Sequence, residues 1–158
     1  MDVTTADQMS EAVLKETKDA DLLIMASAVA DYKPAQQSSR KIKKDKGGLS
    51  VINLKTTPDI LGEIARRKNT SGFGLKVVIG FAAETEKLQE NAKAKLENKK
   101  LDLIVANDVS REDSGFGNDQ NQVTLIWKDG RIQEFPVMEK TEVSDIIIRE
   151  AAKLYNSA

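Results

Sequence analysis

Arg40-Lys41-Ile42-Lys43-Lys44-Asp45-Lys46 places five cations within seven residues. Such a run reads either as a solvated surface segment or as a loop that folds over a triphosphate and stabilises the charge developing there. Sequence alone leaves both readings open. The run has no aromatic residue on which a base could stack, which weakens a third reading, single-strand nucleic-acid binding. A second group of cations stands out by position. At about 100° per residue, Leu88, Ala92, Lys95 and Lys99 fall on one stripe of a helix. Lysines on a core-facing stripe either complement the C-terminal end of the helix dipole or reach an anion. Thr57-Pro58-Asp59-Ile60 also has two readings. It is a helix start with a hydroxyl cap and Pro at the first position, and a helix start presents free amides to an anion or a ribose.

The inventory of reactive groups narrows the chemistry further. There is no Cys and no His, so a thiolate nucleophile, a disulfide framework, the usual general base and the commonest zinc ligand are all excluded. What remains is Lys, Arg, Asp, Glu, Asn, hydroxyls, backbone amides and a hard metal ion. That set suits phosphoryl and nucleotidyl chemistry, which depends on charge placement more than on proton shuttling. With 24 basic and 25 acidic residues the net charge is −1, too small a field to hold a long polyanion. The 158 residues, 40% of them hydrophobic, suffice for one core, and no long apolar run or signal-like start is present. The chain therefore reads as a single cytoplasmic domain with no membrane segment.

The elements that must position these residues follow from pattern. Thr5 and Gln8 form a capping box that opens a helix to about Asp19, with Met9, Ala12 and Val13 inward. Leu22–Met25, Val77–Phe81 and Leu101–Ala106 are short apolar runs that read as buried strands. Thr57 is expected to cap a helix with Ile60, Leu61, Ile64 and Ala65 inward, and a further helix is expected over about Glu84–Lys99. Gln122–Trp127 and Arg131–Pro136, joined by Lys128-Asp129-Gly130, read as a β-hairpin. Thr141 is expected to cap a last helix that carries Val143, Ile146, Ile147 and Leu154. Residues 35–48 are polar, basic and aperiodic, and are expected to form a mobile loop. Strand, helix, strand with continuous apolar strands predicts an α/β fold: a Rossmann-like, doubly wound and mainly parallel sheet, with the hairpin and helix at its C-terminal end. No Gly-rich phosphate loop lies upstream of the first helix, so residues 1–158 read as one domain that lacks its N-terminal strand, loop and helix.

Ligands of such sheets bind beyond the carboxyl ends of the strands. Three of those ends carry unusual residues: Ser27-Ala28-Val29-Ala30-Asp31-Tyr32, Phe81-Ala82-Ala83-Glu84-Thr85, and Asn107-Asp108 leading to Gly115-Phe116-Gly117. Any one of them alone is an ordinary cap or turn.

Taken in order, Ala28-Val29-Ala30-Asp31-Tyr32, Lys41-Ile42-Lys43-Lys44, Pro58-Asp59-Ile60, Gly80-Phe81-Ala82-Ala83-Glu84-Thr85 and Ala106-Asn107-Asp108-Val109-Ser110 resemble the synthetase half of the bacterial phosphopantothenoylcysteine synthetase/decarboxylases. The similarity runs from about residue 3 to 155, with Ser27 where the family commonly has Ala. The resemblance implies a phosphopantothenate–cysteine ligase of coenzyme A synthesis, a dimer that uses CTP and Mg²⁺, with a decarboxylase domain upstream in bifunctional members. By position, it implies that Ala28 and Asp31 meet the nucleotide and that Lys41 is the lid lysine acting on an acyl-cytidylate. The backbone of Thr57, Pro58, Asp59 and Ile60 and the ring of Phe81 would frame the cytidine, and Lys95 and Lys99 would complete the CTP pocket. It assigns no metal ligand and no role to Asn107 or Asp108. In the implied reaction the carboxylate of 4′-phosphopantothenate attacks the α-phosphorus of CTP, and cysteine's amine then displaces CMP. A chain lacking the Gly-rich segment is expected to make no phosphopantothenoylcysteine alone. Two rival readings are a non-catalytic CTP-binding module and a Rossmann-type oxidoreductase; the missing G-x-G-x-x-G counts against the second.

Overall fold

The computed structural model describes residues 1–36, 38, 40, 51–68, 70, 73–84, 86–108 and 119–158. The chain begins with α1 (Ala6–Glu16) and β1 (Leu22–Met25), followed by a ribbon of β2 (Tyr32–Pro34) and β3 (Leu54–Thr56). Next come α2 (Ile60–Arg67), β4 (Val77–Glu84), α3 (Leu88–Asn98) and β5 (Leu103–Asp108). A second small ribbon, β6 (Gln120–Asn121) with β9 (Met138–Glu139), brackets the hairpin β7 (Val123–Trp127) and β8 (Ile132–Glu134), and α4 (Lys140–Asn156) ends the fold.

The main sheet has the order β1-β4-β5-β7-β8. Its core strands run parallel, with Leu22 opposite Val77 and Ile79 opposite Leu103, while β7 and β8 join antiparallel. This is the expected α/β sheet with a C-terminal hairpin and helix. Alternate residues of β4 and β5 face opposite sides, and both sides are covered, which is why these strands read as continuous apolar runs. On one side Val78, Ala82, Ile104 and Ala106 pack against Ile64 of α2 and Ala92 and Leu96 of α3. On the other, Val77, Ile79, Leu103, Val105, Leu125 and Trp127 pack against Val143, Ile147 and Ala151 of α4. Ile64, Ile79 and Leu103 are fully buried, and each such side chain contributes about 1.5–3 kcal/mol of apolar burial.

Several boundaries differ from expectation, each for a local reason. The capping box of Thr5 and Gln8 is present, but α1 ends at Glu16, where Thr17 turns its hydroxyl back on the Val13 carbonyl at 2.6 Å. Thr57 does not cap α2. Its hydroxyl is a donor to the Ala30 carbonyl at 2.6 Å, so the cap passes to Asp59, which accepts from the Gly62 amide. β4 continues three residues beyond Phe81, because the ladder to β5 extends through Ala83–Asn107 and Glu84–Asp108. As a result α3 starts at Leu88 rather than Glu84, entered through Lys87 at φ 51°. Thr141 lies inside the first turn of α4, whose capping box is made by Glu139 and Glu142. The two ribbons had no counterpart in the sequence reading. Most of the expected loop over residues 35–48, Lys41 included, lies outside the described residues.

Candidate functional site

The segment leaving β1 runs along the ligand edge of the sheet. Met25, Ser27, Val29 and Asp31 line a cavity of about 560 Å³, while Ala28 and Ala30 between them do not. Ala28, expected to meet the nucleotide, stands in sequence between the lining residues Ser27 and Val29. Thr57 ties this segment to the start of α2 from two directions. Its amide donates to the Asp31 carbonyl at 2.9 Å, and its hydroxyl holds the Ala30 carbonyl. The residue thus locks two walls of the cavity together, a larger task than capping.

Pro58, Asp59 and Ile60 continue the wall into the first turn of α2. Helix geometry leaves the amides of Ile60 and Leu61 without intrahelical acceptors, so the turn offers donors at the cavity rim. Asp59 uses Oδ1 to accept from Gly62 at 3.0 Å and Oδ2 to accept from Lys99 Nζ at 2.5 Å. Burial pushes the Asp59 carboxyl up, but the hydrogen bonds from Lys99 and the Gly62 amide outweigh it and hold the group below its ordinary value.

The remaining wall comes from β4 and α3. Phe81 lines the cavity, and its carbonyl accepts from Lys95 Nζ at 2.8 Å. Lys95 and Lys99 stand one turn apart, so both ammonium groups reach the same opening. The stripe of α3 is therefore divided in use. Leu88, Ala92 and Leu96 serve the core, while Lys95 reaches the Phe81 carbonyl of β4 and Lys99 reaches Asp59 at the start of α2.

Eight of the ten residues singled out by sequence, namely Asp31, Thr57, Pro58, Asp59, Ile60, Phe81, Lys95 and Lys99, line this one cavity. Ala28 stands beside it and Lys41 lies outside the described residues. Ser27, Val29 and Tyr32 of the first strand-end string also line it, as do Met25, Thr56 and Leu61, which the sequence did not mark as site residues. Alternation from Ser27 and Asp31 would have pointed to Met25, whereas Tyr32 and Thr56 arrive through the β2–β3 pairing. Asn107 does not line the cavity; it pairs with Ala83 on β4, and its Oδ1 is buried without a hydrogen-bond partner. Gly115, Phe116 and Gly117 lie outside the described residues. No group of three or more Asp, Glu, His or Cys able to hold a metal ion occurs among the described residues.

Such a cavity can receive a ligand with an oxygen-rich and partly apolar body, ringed by two oriented ammonium donors, helix amides and the carboxylates of Asp31 and Asp59. Comparison with known proteins bears on which ligand that is. The family model described as "DNA/pantothenate metabolism flavoprotein C-terminal domain" matches residues 1–155. The coenzyme A biosynthesis bifunctional protein CoaBC of Bacillus subtilis strain 168 is 43% identical over 152 residues, which cover 96% of this chain and 36% of that protein. The protein of the same name from Escherichia coli strain K12 is 36% identical over 158 residues, covering 99% of this chain and 38% of that protein. A crystal structure of the C-terminal domain of a CoaBC protein superposes with a TM-score of 0.76 at 32% identity, covering all of this chain and 66% of that one. The chain thus spans little more than a third of the curated relatives' length.

Proposed function

This chain belongs to the family of DNA/pantothenate metabolism flavoprotein C-terminal domains, and from that premise we propose that it carries the CTP site of a phosphopantothenate–cysteine ligase. The observation that carries the reading is convergence. Residues from β1, α2, β4 and α3, far apart in sequence, meet at one cavity beyond the carboxyl ends of parallel strands, where sheets of this kind bind nucleotides.

In this reading the chain's contribution is positioning and charge placement. The first turn of α2 and Phe81 frame the cytidine, and Lys95 and Lys99 donate to its oxygens. Lys41 stabilises the acyl-cytidylate formed when the carboxylate of 4′-phosphopantothenate attacks the α-phosphorus of CTP with loss of pyrophosphate. Cysteine's amine then forms the amide and releases CMP, a step that asks for neither His nor Cys of the protein. Mg²⁺ fits the donor set at the cavity, since it binds through one or two carboxylates and the substrate's own phosphates, and Asp31 is the carboxylate that would hold it. When bound, the ion neutralises phosphate charge. An upstream decarboxylase domain, a homodimer and a cytoplasmic setting complete the proposal. No helix among the described residues is long and apolar enough to cross a membrane.

Calorimetric titration with CTP and with ATP, both with Mg²⁺, tests the reading. Saturable CTP binding with ATP much weaker is expected. Equal binding of both would remove the cytidine assignment, and binding of neither by the full-length protein would remove the nucleotide assignment altogether. Lys41→Ala should depress turnover while leaving CTP affinity in place; an equal loss of both would end its role as a late-acting lysine.

A further inference from the structure

We propose that Gly62 and Asp59 form a positioning device for Lys99, fixing its ammonium as a donor to an uncharged oxygen of the bound nucleotide, a base carbonyl or sugar hydroxyl; this rests on the nucleotide reading above. An ideal Cβ at position 62 would stand 2.1 Å from Asp59 Oδ2 and 2.6 Å from its Cγ. The carboxylate therefore lies across the first turn of α2, in space that only a glycine leaves open. Glycine inside a helix is disfavoured relative to alanine, so helix stability is given up at the one position that admits the carboxylate.

The carboxylate is divided between two tasks. Oδ1 closes the helix by accepting from Gly62, and Oδ2 accepts from Lys99. Lysine has a long, rotamer-rich stem, and Lys99 is the C-cap residue of α3 with no further turn to pack against. An acceptor reaching across from α2 removes that freedom before a ligand arrives. Lys95 is held in the same manner by the Phe81 carbonyl, so both ammonium groups are oriented by acceptors on opposite walls. Each ammonium has three donors, and one is used in this way. Because Asp59 offsets the charge of Lys99, the pair exerts little net pull on a polyphosphate and suits a neutral oxygen.

Gly62→Ala is the informative substitution, since the atoms its methyl displaces belong to the end of a flexible side chain rather than to backbone. The helix is retained and the carboxylate swings away. In the full-length protein, calorimetry should show CTP and CMP affinity falling together by about tenfold, equivalent to ~1.4 kcal/mol. Lys99→Ala should lose at least as much, and adding Gly62→Ala to it should lose nothing more. Asp59→Asn, which keeps a capping acceptor and removes the charge, should reproduce the loss. Unchanged affinity in Gly62→Ala, additive losses in the double variant, or a loss with CTP but not CMP would each overturn the inference. The Lys99 ammonium resonance of the ligand-free protein, protected from exchange by its carboxylate partner, should disappear in Gly62→Ala. A resonance unaffected by that change overturns the device whether or not nucleotide binds, whereas failure of the unaltered protein to bind CTP removes the functional reading and the device's role with it.

Discussion

Asp102 shows how a single carboxylate can organise a region remote from the cavity. Its side chain is only 5% exposed, yet it accepts from the Val78 amide at 2.9 Å, from Lys128 at 2.7 Å and from Lys68. Burial would push the carboxyl up; the donors from Lys128, Lys68 and Val78 outweigh it and hold the group below the ordinary 3.8. A depressed folded-state value contributes stability that is fully present above the unfolded value and is lost as pH falls through the folded one. Asp102→Asn should therefore destabilise the fold by about 2 kcal/mol near neutrality, less than for a fully buried pair because Lys128 is largely exposed. Thermal melts between pH 2 and 7 would show it: the variant's deficit should shrink on acidification, and a constant deficit would contradict the linkage. Legibility at this scale follows chemistry. Lys95 and Lys99 were readable because charge on an apolar stripe conflicts with helix periodicity. Met25 and Leu61 were not, because an apolar residue lining a cavity has the same type and spacing as one lining a core.

At the scale of elements, the features that sequence specified well are those fixed within a few residues. The capping box of α1 and the turn at Lys128-Asp129-Gly130 are both local, and both are present. Gly130 sits at φ +89° with nothing near its missing Cβ, so backbone conformation alone demands glycine there. Gly130→Ala should cost about 1 kcal/mol in chemical denaturation. A neutral effect would mean that the turn relaxes without disturbing the Trp127–Arg131 contact that closes the hairpin. Elements fixed by distant partners were the ones misjudged. The β2–β3 ribbon joins Tyr32 to Thr56, and nothing near either residue announces the pairing. The same applies to β4, which continues past Phe81 only because β5 lies alongside to bond it.

For the molecule as a whole, the α/β class and both covered faces of the sheet were legible, because continuous apolar strands have few other uses. What the pattern left open is the outward character of the ribbon. Tyr32 and Leu54 on the ribbon, and Val51 and Ile52 just before β3, are more than half exposed, apolar side chains that water disfavours. The homodimer proposed above gives these side chains a use. Leu54→Asp should then shift sedimentation toward the monomer, and an unchanged sedimentation coefficient would assign the contact to another surface.

The position of β1 carries a consequence for how the molecule is made. Among the described residues β1 pairs with β4, and its partner Val77 lies far along the chain from Leu22. Contacts of such high contact order form late, after the closure entropy of the long intervening segment has been met, whereas the hairpin of β7 and β8 is local and forms early. Met25 of β1 and Phe81 of β4 both line the cavity, so opening of this seam would open the binding site. A nucleotide that binds only the closed form would therefore hold β1 against β4. Hydrogen exchange should register this as slower exchange at Leu23, Ile24 and Met25 on adding CTP, with Leu125 and Ile126 little changed. Uniform slowing across the sheet would mean that the molecule opens as one unit and that β1 has no separate life.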